Sequence, residues 1–149
     1  IVEYVRHRMR RIAEQVGRIG IYSPSVTANP YHPHMVNLAG GGFRTVAYAD
    51  GIAPLISLDY WREAGLDWRE NPIGYGLDVV FSARAAELGW RVVVDHTLCM
   101  RHSYHSSVRQ VPGLLSLAAE SEDTYLRSQW GDGYRDRMDR MQGQIREYA

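Results

Sequence analysis

The aspartate at position 78 has the sequence surroundings of an acid–base group. It follows two glycines in the segment GYGLD and precedes a run of apolar residues at helical spacing. Glycine adopts the backbone angles of tight turns, so we expect a turn that opens into a helix at Asp78. A carboxylate in the first turn of a helix is stabilised by the helix dipole and lies near solvent. Asp78 could therefore accept a proton from a hydroxyl group, or could simply stabilise the helix terminus.

Histidines form a second group of candidates. His102 ends a strand-like segment, residues 97–101, and a neutral imidazole there suits Mn²⁺ better than Mg²⁺. A histidine at a strand end can equally be a hydrogen-bonded structural residue. His96 and His105 lie nearby, but their spacing matches no zinc signature with cysteines. A histidine metal protein that uses all three residues is one alternative.

Aromatic side chains and two further histidines are candidates for ligand contacts. Tyr75, Trp61 and Trp68 could stack on a sugar ring, although aromatic residues are also common packing residues. His32 and His34, in the segment PYHPH, could chelate a metal ion. The flanking prolines also fit a rigid surface loop.

The elements that position these residues alternate between helices and strands. Apolar periodicity predicts helices over residues 2–16, 58–64 and 77–88, a further helix from residue 114, and a last one over 134–148. It predicts strands over residues 18–23, 43–49, 52–57 and 90–94. We expect Pro24 to end the first strand, because proline cannot donate to a sheet. The pattern predicts an α/β layered sheet with flanking helices.

The segment GYGLDVVFSARAAELGWRVVVDHTLCMRH, residues 74–102, resembles the second half of a glycosyltransferase of the GT-A fold, in particular the large inverting family 2. The resemblance implies a partial GT-A, Rossmann-like sheet. It divides the chain into an acceptor-side half, residues 1–105, and a helical C-terminal extension, residues 106–149. The sequence has no DxD motif, so the chain is expected to begin just after the donor-binding half of such an enzyme.

The resemblance also implies roles for individual residues. Asp78 matches the catalytic base, and Gly74, Tyr75 and Gly76 would lie against the acceptor. His102 matches a histidine that lies near a divalent metal, Mn²⁺ or Mg²⁺. That metal is expected only with the complete active site.

The implied activity is transfer of a sugar from a nucleotide-sugar donor to a hydroxyl of a carbohydrate or lipid-linked acceptor, with inversion. We expect that the isolated chain does not bind the nucleotide sugar. The alternative is a non-catalytic, glycosyltransferase-like module that binds carbohydrate or assists assembly. The C-terminal helices could form a homo-oligomer or dock on their own sheet.

Charge and hydropathy give no sign of nucleic-acid binding or of a membrane span. The 149 residues carry 17 arginines and lysines against 17 aspartates and glutamates, so no general attraction to nucleic acid follows. No apolar run approaches the roughly 18 residues of a membrane span. We therefore expect a protein without a transmembrane segment, located in the cytoplasm, with peripheral membrane association as an alternative.

Overall fold

The chain forms an α/β structure with a mixed sheet, as its apolar pattern predicts. The computed structural model describes residues 1–103 and 110–149. The helices are α1 (Val2–Val16), α2 (Leu58–Ala64), α3 (Leu77–Glu87), α4 (Leu114–Trp130) and α5 (Tyr134–Gln142). The strands are β1 (Ile19–Val26), β2 (Phe43–Val46), β3 (Leu55–Ile56), β4 (Arg91–Met100) and β5 (Ile145–Tyr148).

Within the described residues the strands form one sheet in the order β3-β1-β4-β2-β5. The central strands β1 and β4 are parallel, whereas β3, β2 and β5 join by antiparallel pairing. Buried side chains of β4 alternate between two core clusters: Val92 and Val94 belong to one and Val93 to the other. Because neighbouring side chains of a strand point to opposite faces, both faces of this sheet are covered.

Helix α1 covers one face of the sheet. Its apolar stripe, centred on the buried Ile12, packs with Tyr22, Phe43 and Val93. Gly17, with φ 86°, ends the helix as the sequence predicts.

Helix α3 lies in the larger core cluster on the other face. Seven of its eleven residues are buried, and Gly89 separates it from β4. The predicted succession of helix and strand is confirmed here. Strand β4 is longer than expected, however, because residues 91–94 and the segment up to Met100 form one continuous strand.

The first strand does not end at Pro24. Strand β1 continues to Val26, and its register against β4 shifts between Pro24 and Ser25. Such an irregularity accommodates a residue without an N–H group. The prediction was wrong because it treated proline as a stop rather than as a bulge residue.

The end of the chain is a strand and not a helix. Gly143 ends α5, and β5 then pairs antiparallel with β2, with Tyr148 opposite Phe43. The two rings stack with centroids 4.5 Å apart. The predicted helix over residues 134–148 was wrong beyond α5, because Ile145 and Tyr148 continue the helical spacing by coincidence.

The C-terminal helices pack on the core of the same chain. Tyr125, Leu126, Tyr134 and Met141 belong to the cluster that contains α3. The domain boundary near residue 105 and pairing of these helices with a second copy both stay predictions. Over the described residues, no helix combines the length and apolar character needed to cross a bilayer.

A buried ionic network joins α1 to the sheet. The Asp95 carboxylate, with no exposed surface, accepts two hydrogen bonds from Arg8, at 3.0 and 3.1 Å, and one from the Tyr22 hydroxyl at 2.6 Å. The amide and hydroxyl of Thr97 also donate to it. Burial favours a raised pKa for Asp95, but these donors outweigh it and lower the pKa.

Candidate active-site cleft

A cleft of about 1180 Å³ opens on the α3 face of the sheet. Its wall consists of the loop after β1, the turn between β2 and β3, the turn before α3, residues 101–103, and the inner sides of α4 and α5. The residues to which the resemblance gives roles all line it: Gly74, Tyr75, Gly76, Asp78 and His102. The structure thus brings into one cavity side chains that are up to 28 positions apart in the sequence.

Asp78 lies in the first turn of α3 with a partly buried side chain. One carboxylate oxygen, Oδ2, accepts the backbone N–H of Gly51 at 2.8 Å, and Oδ1 accepts the N–H of Val79 at 2.9 Å. No arginine within the described residues forms an ion pair with this carboxylate. Two backbone donors therefore fix the carboxylate at the cleft wall without neutralising it.

The proton affinity of Asp78 is unusually high for a carboxyl group. Burial raises the pKa of Asp78 to about 7, and the negative charges of Asp50 and Glu122 act in the same direction. The amides of Gly51 and Val79 oppose the rise. A general base works best with a pKa near the working pH, so Asp78 has the proton affinity that hydroxyl deprotonation requires.

The turn before α3 is held by its own side-chain contacts. The Asn71 amide donates to the carbonyl oxygen of Tyr75 at 2.7 Å. Gly74 and Gly76 both have positive φ, at 92° and 84°. At Gly76 a Cβ atom would lie 3.2 Å from Cγ of Leu126, so α4 packs directly against the turn that carries Asp78.

Substitution of Gly76 by alanine should destabilise the protein by about 2–4 kcal/mol, because left-handed strain and a forced shift of α4 add together. Gly74→Ala is the matched control: its φ is also positive, but a Cβ there meets nothing within 4 Å. We expect Gly74→Ala to lower the free energy of unfolding by only about 1 kcal/mol, the cost of the backbone strain. Urea unfolding measures the free energy of unfolding of both variants. Equal decreases would contradict the close packing of α4 on Gly76.

His102 lies at the edge of the same cleft. Its backbone N–H donates to the hydroxyl oxygen of Thr27 at 3.3 Å, and its ring Nδ1 donates to the carbonyl oxygen of Ala28 at 3.3 Å. In the part of the chain that the structure describes, no three His, Cys, Asp or Glu residues are grouped so that they could hold a metal ion. The metal role of His102 therefore stays a prediction.

The proposed histidine trio is not assembled by the described residues. His96 is 5% exposed and does not line the cleft, and its Nδ1 accepts the N–H of Leu38 at 3.2 Å. His105 lies outside the described residues. The hydrogen bond and burial of His96 support a structural role.

His32 and His34 differ in their surroundings. His32 lines the cleft, whereas His34 is 2% exposed and its ring packs against Tyr48 with centroids 4.7 Å apart. Burial lowers the pKa of His34 to about 4, so it is neutral near neutral pH. The two rings lie with centroids 5.7 Å apart, but the described residues supply no group of three possible metal ligands, so chelation by this pair stays a prediction.

Exposed aromatic rings line the cleft. Trp68 is 52% exposed and Tyr75 is 36% exposed, so both can meet a ligand. Trp61 packs against Trp68, with centroids 5.3 Å apart, and does not line the cleft. Tyr31, 59% exposed, is a further aromatic residue at this site that the sequence did not reveal.

A polar network beside Asp78 was also missed. The Asn29 amide donates to Asp50 Oδ2 at 2.7 Å, and His32 Nε2 lies 4.0 Å from the same oxygen. The other ring nitrogen of His32, Nδ1, is 3.1 Å from the hydroxyl of Tyr48. Asp50 directly follows the strand predicted over residues 43–49, and this was the available signal.

Glu122 enters the cleft from α4 and has no sequence signal of its own. Burial raises its pKa, and the charge of Asp50 adds to the rise. Its position depends on the packing of α4 on the Gly76 turn, which no local pattern encodes.

Comparisons of the chain with protein-family models, with curated proteins and with solved structures found no match.

Proposed function

We propose that this chain is the acceptor-side part of an inverting glycosyltransferase of GT-A type, resembling family 2, with Asp78 as the general base. The observation that carries the proposal is the Asp78 carboxylate: it lines a large cleft, is fixed by two backbone N–H groups, and has a pKa raised to about 7. Such a group is suited to removing a proton from an alcohol.

The chemistry assigned to Asp78 is a single displacement. The acceptor hydroxyl gives its proton to the Asp78 carboxylate while its oxygen forms a bond to the anomeric carbon of the donor sugar. The bond from that carbon to the diphosphate oxygen breaks, and the nucleoside diphosphate leaves with the electron pair. Attack from the face opposite the leaving group inverts the anomeric configuration.

A divalent metal does not fit the described residues by themselves. His102 is not part of a group of three potential ligands in residues 1–103 and 110–149. The proposal therefore assigns the metal and the diphosphate contacts to the donor-binding half, and no step above depends on them.

The surface of the cleft suits a sugar acceptor. Trp68, Tyr75 and Tyr31 present exposed aromatic faces, which can pack on the apolar face of a pyranose ring. Asp78 and Asp50 supply carboxylates that can accept hydrogen bonds from sugar hydroxyls. The volume of about 1180 Å³ accommodates a small saccharide.

A titration of the 149-residue chain with saccharides, followed by amide NMR, tests the acceptor site. We expect the largest shift changes at Gly51, Gly74, Tyr75 and Gly76, because these amides adjoin Asp78 and the cleft. Nucleotide sugars should leave the same amides unshifted, since the donor contacts lie elsewhere in the proposal. Saccharide-induced shifts confined to residues outside the cleft would contradict the assignment.

The second candidate function is a non-catalytic carbohydrate-binding or assembly module. The observation in its favour is that the sequence has no DxD motif. This module would bind saccharides in the same cleft but would not depend on the proton affinity of Asp78. Turnover of the unmodified protein and of an Asp78 variant, considered in the Discussion, distinguishes the two.

A further inference from the structure

A second carboxylate stands immediately beside the candidate base. Asp50 precedes Gly51, whose backbone N–H holds Asp78 Oδ2 at 2.8 Å, and both aspartates line the cleft. The Asp50 side chain is 23% exposed, so solvent reaches it only in part. One peptide unit therefore joins Asp50 to the donor that fixes Asp78.

The side chain of Asp50 is itself held by the loop after β1. The Asn29 amide donates to Asp50 Oδ2 at 2.7 Å, and its carbonyl oxygen Oδ1 accepts the N–H groups of Tyr31, at 3.2 Å, and His32, at 2.9 Å. Asn29 therefore uses both ends of its side chain, one to shape the loop and one to orient Asp50. The Asp50 carboxylate is thus oriented by one direct hydrogen bond, and His32 Nε2 lies 4.0 Å from Asp50 Oδ2.

We propose that Asp50 is a positioning residue for Asp78: the Asn29 amide holds the Asp50 carboxylate beside Gly51, the residue whose backbone N–H fixes Asp78, so that the two carboxylates share one wall of the cleft. This inference rests on the proposed function of Asp78. It adds a residue that touches neither the acceptor proton nor the donor but determines how readily Asp78 takes up that proton.

The charges around Asp78 support this role. Burial lowers the pKa of His32, while Asp50 opposes the decrease, so the imidazole is largely neutral near neutral pH and does not cancel the charge of Asp50. Glu122 from α4 is a second, weaker influence that raises the pKa of Asp78. The cleft also contains Asp139 from α5, and Arg101 and His102 after β4.

The test is a pH titration of the carboxyl carbons by ¹³C NMR, with Asp78 assigned through Asp78→Asn. Asp50→Asn keeps an oxygen for the Asn29 amide but removes the charge. We expect this change to lower the Asp78 midpoint by about one pH unit, because a like charge nearby disfavours ionisation. Glu122→Gln should lower it by a smaller amount.

Asp59→Asn is the matched control, because Asp59 is 84% exposed and its removal alters the net charge equally. It should leave the Asp78 midpoint unchanged. An Asp78 midpoint that stays near 7 in Asp50→Asn would overturn this inference without touching the general-base proposal. A midpoint at the ordinary carboxyl value in the unmodified protein would overturn both.

Discussion

Replacement of Asp78 by asparagine should reduce the rate of sugar transfer by a factor of about 10² to 10⁴, the contribution typical of a general base. The variant is tested in the complete enzyme that the proposal implies, with a donor and an acceptor present. Asparagine keeps one oxygen that can accept the Gly51 N–H, while the Val79 N–H in the first turn of α3 loses its carboxylate acceptor, so the turn should be preserved. The loss should appear in kcat, while the KM for the donor changes little.

The stability of the same variant serves as its control. In the folded protein the pKa of Asp78 is about 7, above its value in an unfolded chain. The unmodified protein is therefore most stable at low pH with respect to this group, and it loses stability as the pH rises from about 4 through 7. Asp78→Asn removes this loss, so at pH 8 it should be more stable than the unmodified protein by on the order of 1–3 kcal/mol.

These two results together exclude a trivial loss of structure. A variant that is more stable at pH 8 but inactive has lost a chemical group, not its fold. Full turnover in Asp78→Asn would remove Asp78 from the base role, whereas an absence of turnover in the unmodified protein would favour the non-catalytic module.

Removal of the Asp95 carboxylate should destabilise the protein by about 3–5 kcal/mol, the usual effect of breaking a buried ion pair from one side. Asp95→Ala leaves the Arg8 guanidinium, whose side chain is 22% exposed, and the buried Tyr22 hydroxyl without their acceptor. The network joins α1 to β4, so α1 should also separate from the sheet more readily. Urea unfolding gives the free energy, and amide exchange in α1 gives the local opening.

The effect of Asp95→Ala should depend on pH. Because the pKa of Asp95 is lowered in the folded state, its contribution is present above the ordinary carboxyl range and is lost as the pH falls through the lowered pKa. The difference between the two proteins should therefore shrink in acid. Asp59→Ala, at a position 84% exposed, should change stability by less than about 0.5 kcal/mol. A similarly small effect at Asp95 would show that the network does not stabilise the fold.

Much of the fold follows from local sequence patterns. Helices α1, α2 and α3 begin and end within about two residues of their predicted limits, because each has an apolar stripe and a glycine near its end. Strand β5 could not be predicted in this way. Its pairing with β2 joins residues about 100 positions apart.

The candidate site, too, could be predicted from the sequence only in part. Asp78 was identifiable because the glycines that shape its turn adjoin it in the sequence. The raised pKa of Asp78 could not be predicted from the sequence. It depends on burial of the carboxylate in the folded chain and on the charge of Asp50, which reaches the cleft from a different turn. Asn29 and Glu122 carry no motif at all, and His32 was singled out only as a possible metal ligand, so the place of all three in the cleft appears only once the chain is folded.

The most direct test of the account is the titration midpoint of the Asp78 carboxyl carbon in the unmodified protein. The account requires a midpoint near pH 7, together with amide shifts at Gly51 and Val79 that follow the same curve, because these N–H groups bond to the carboxylate. A midpoint near 4, the ordinary value for an aspartate, would contradict it.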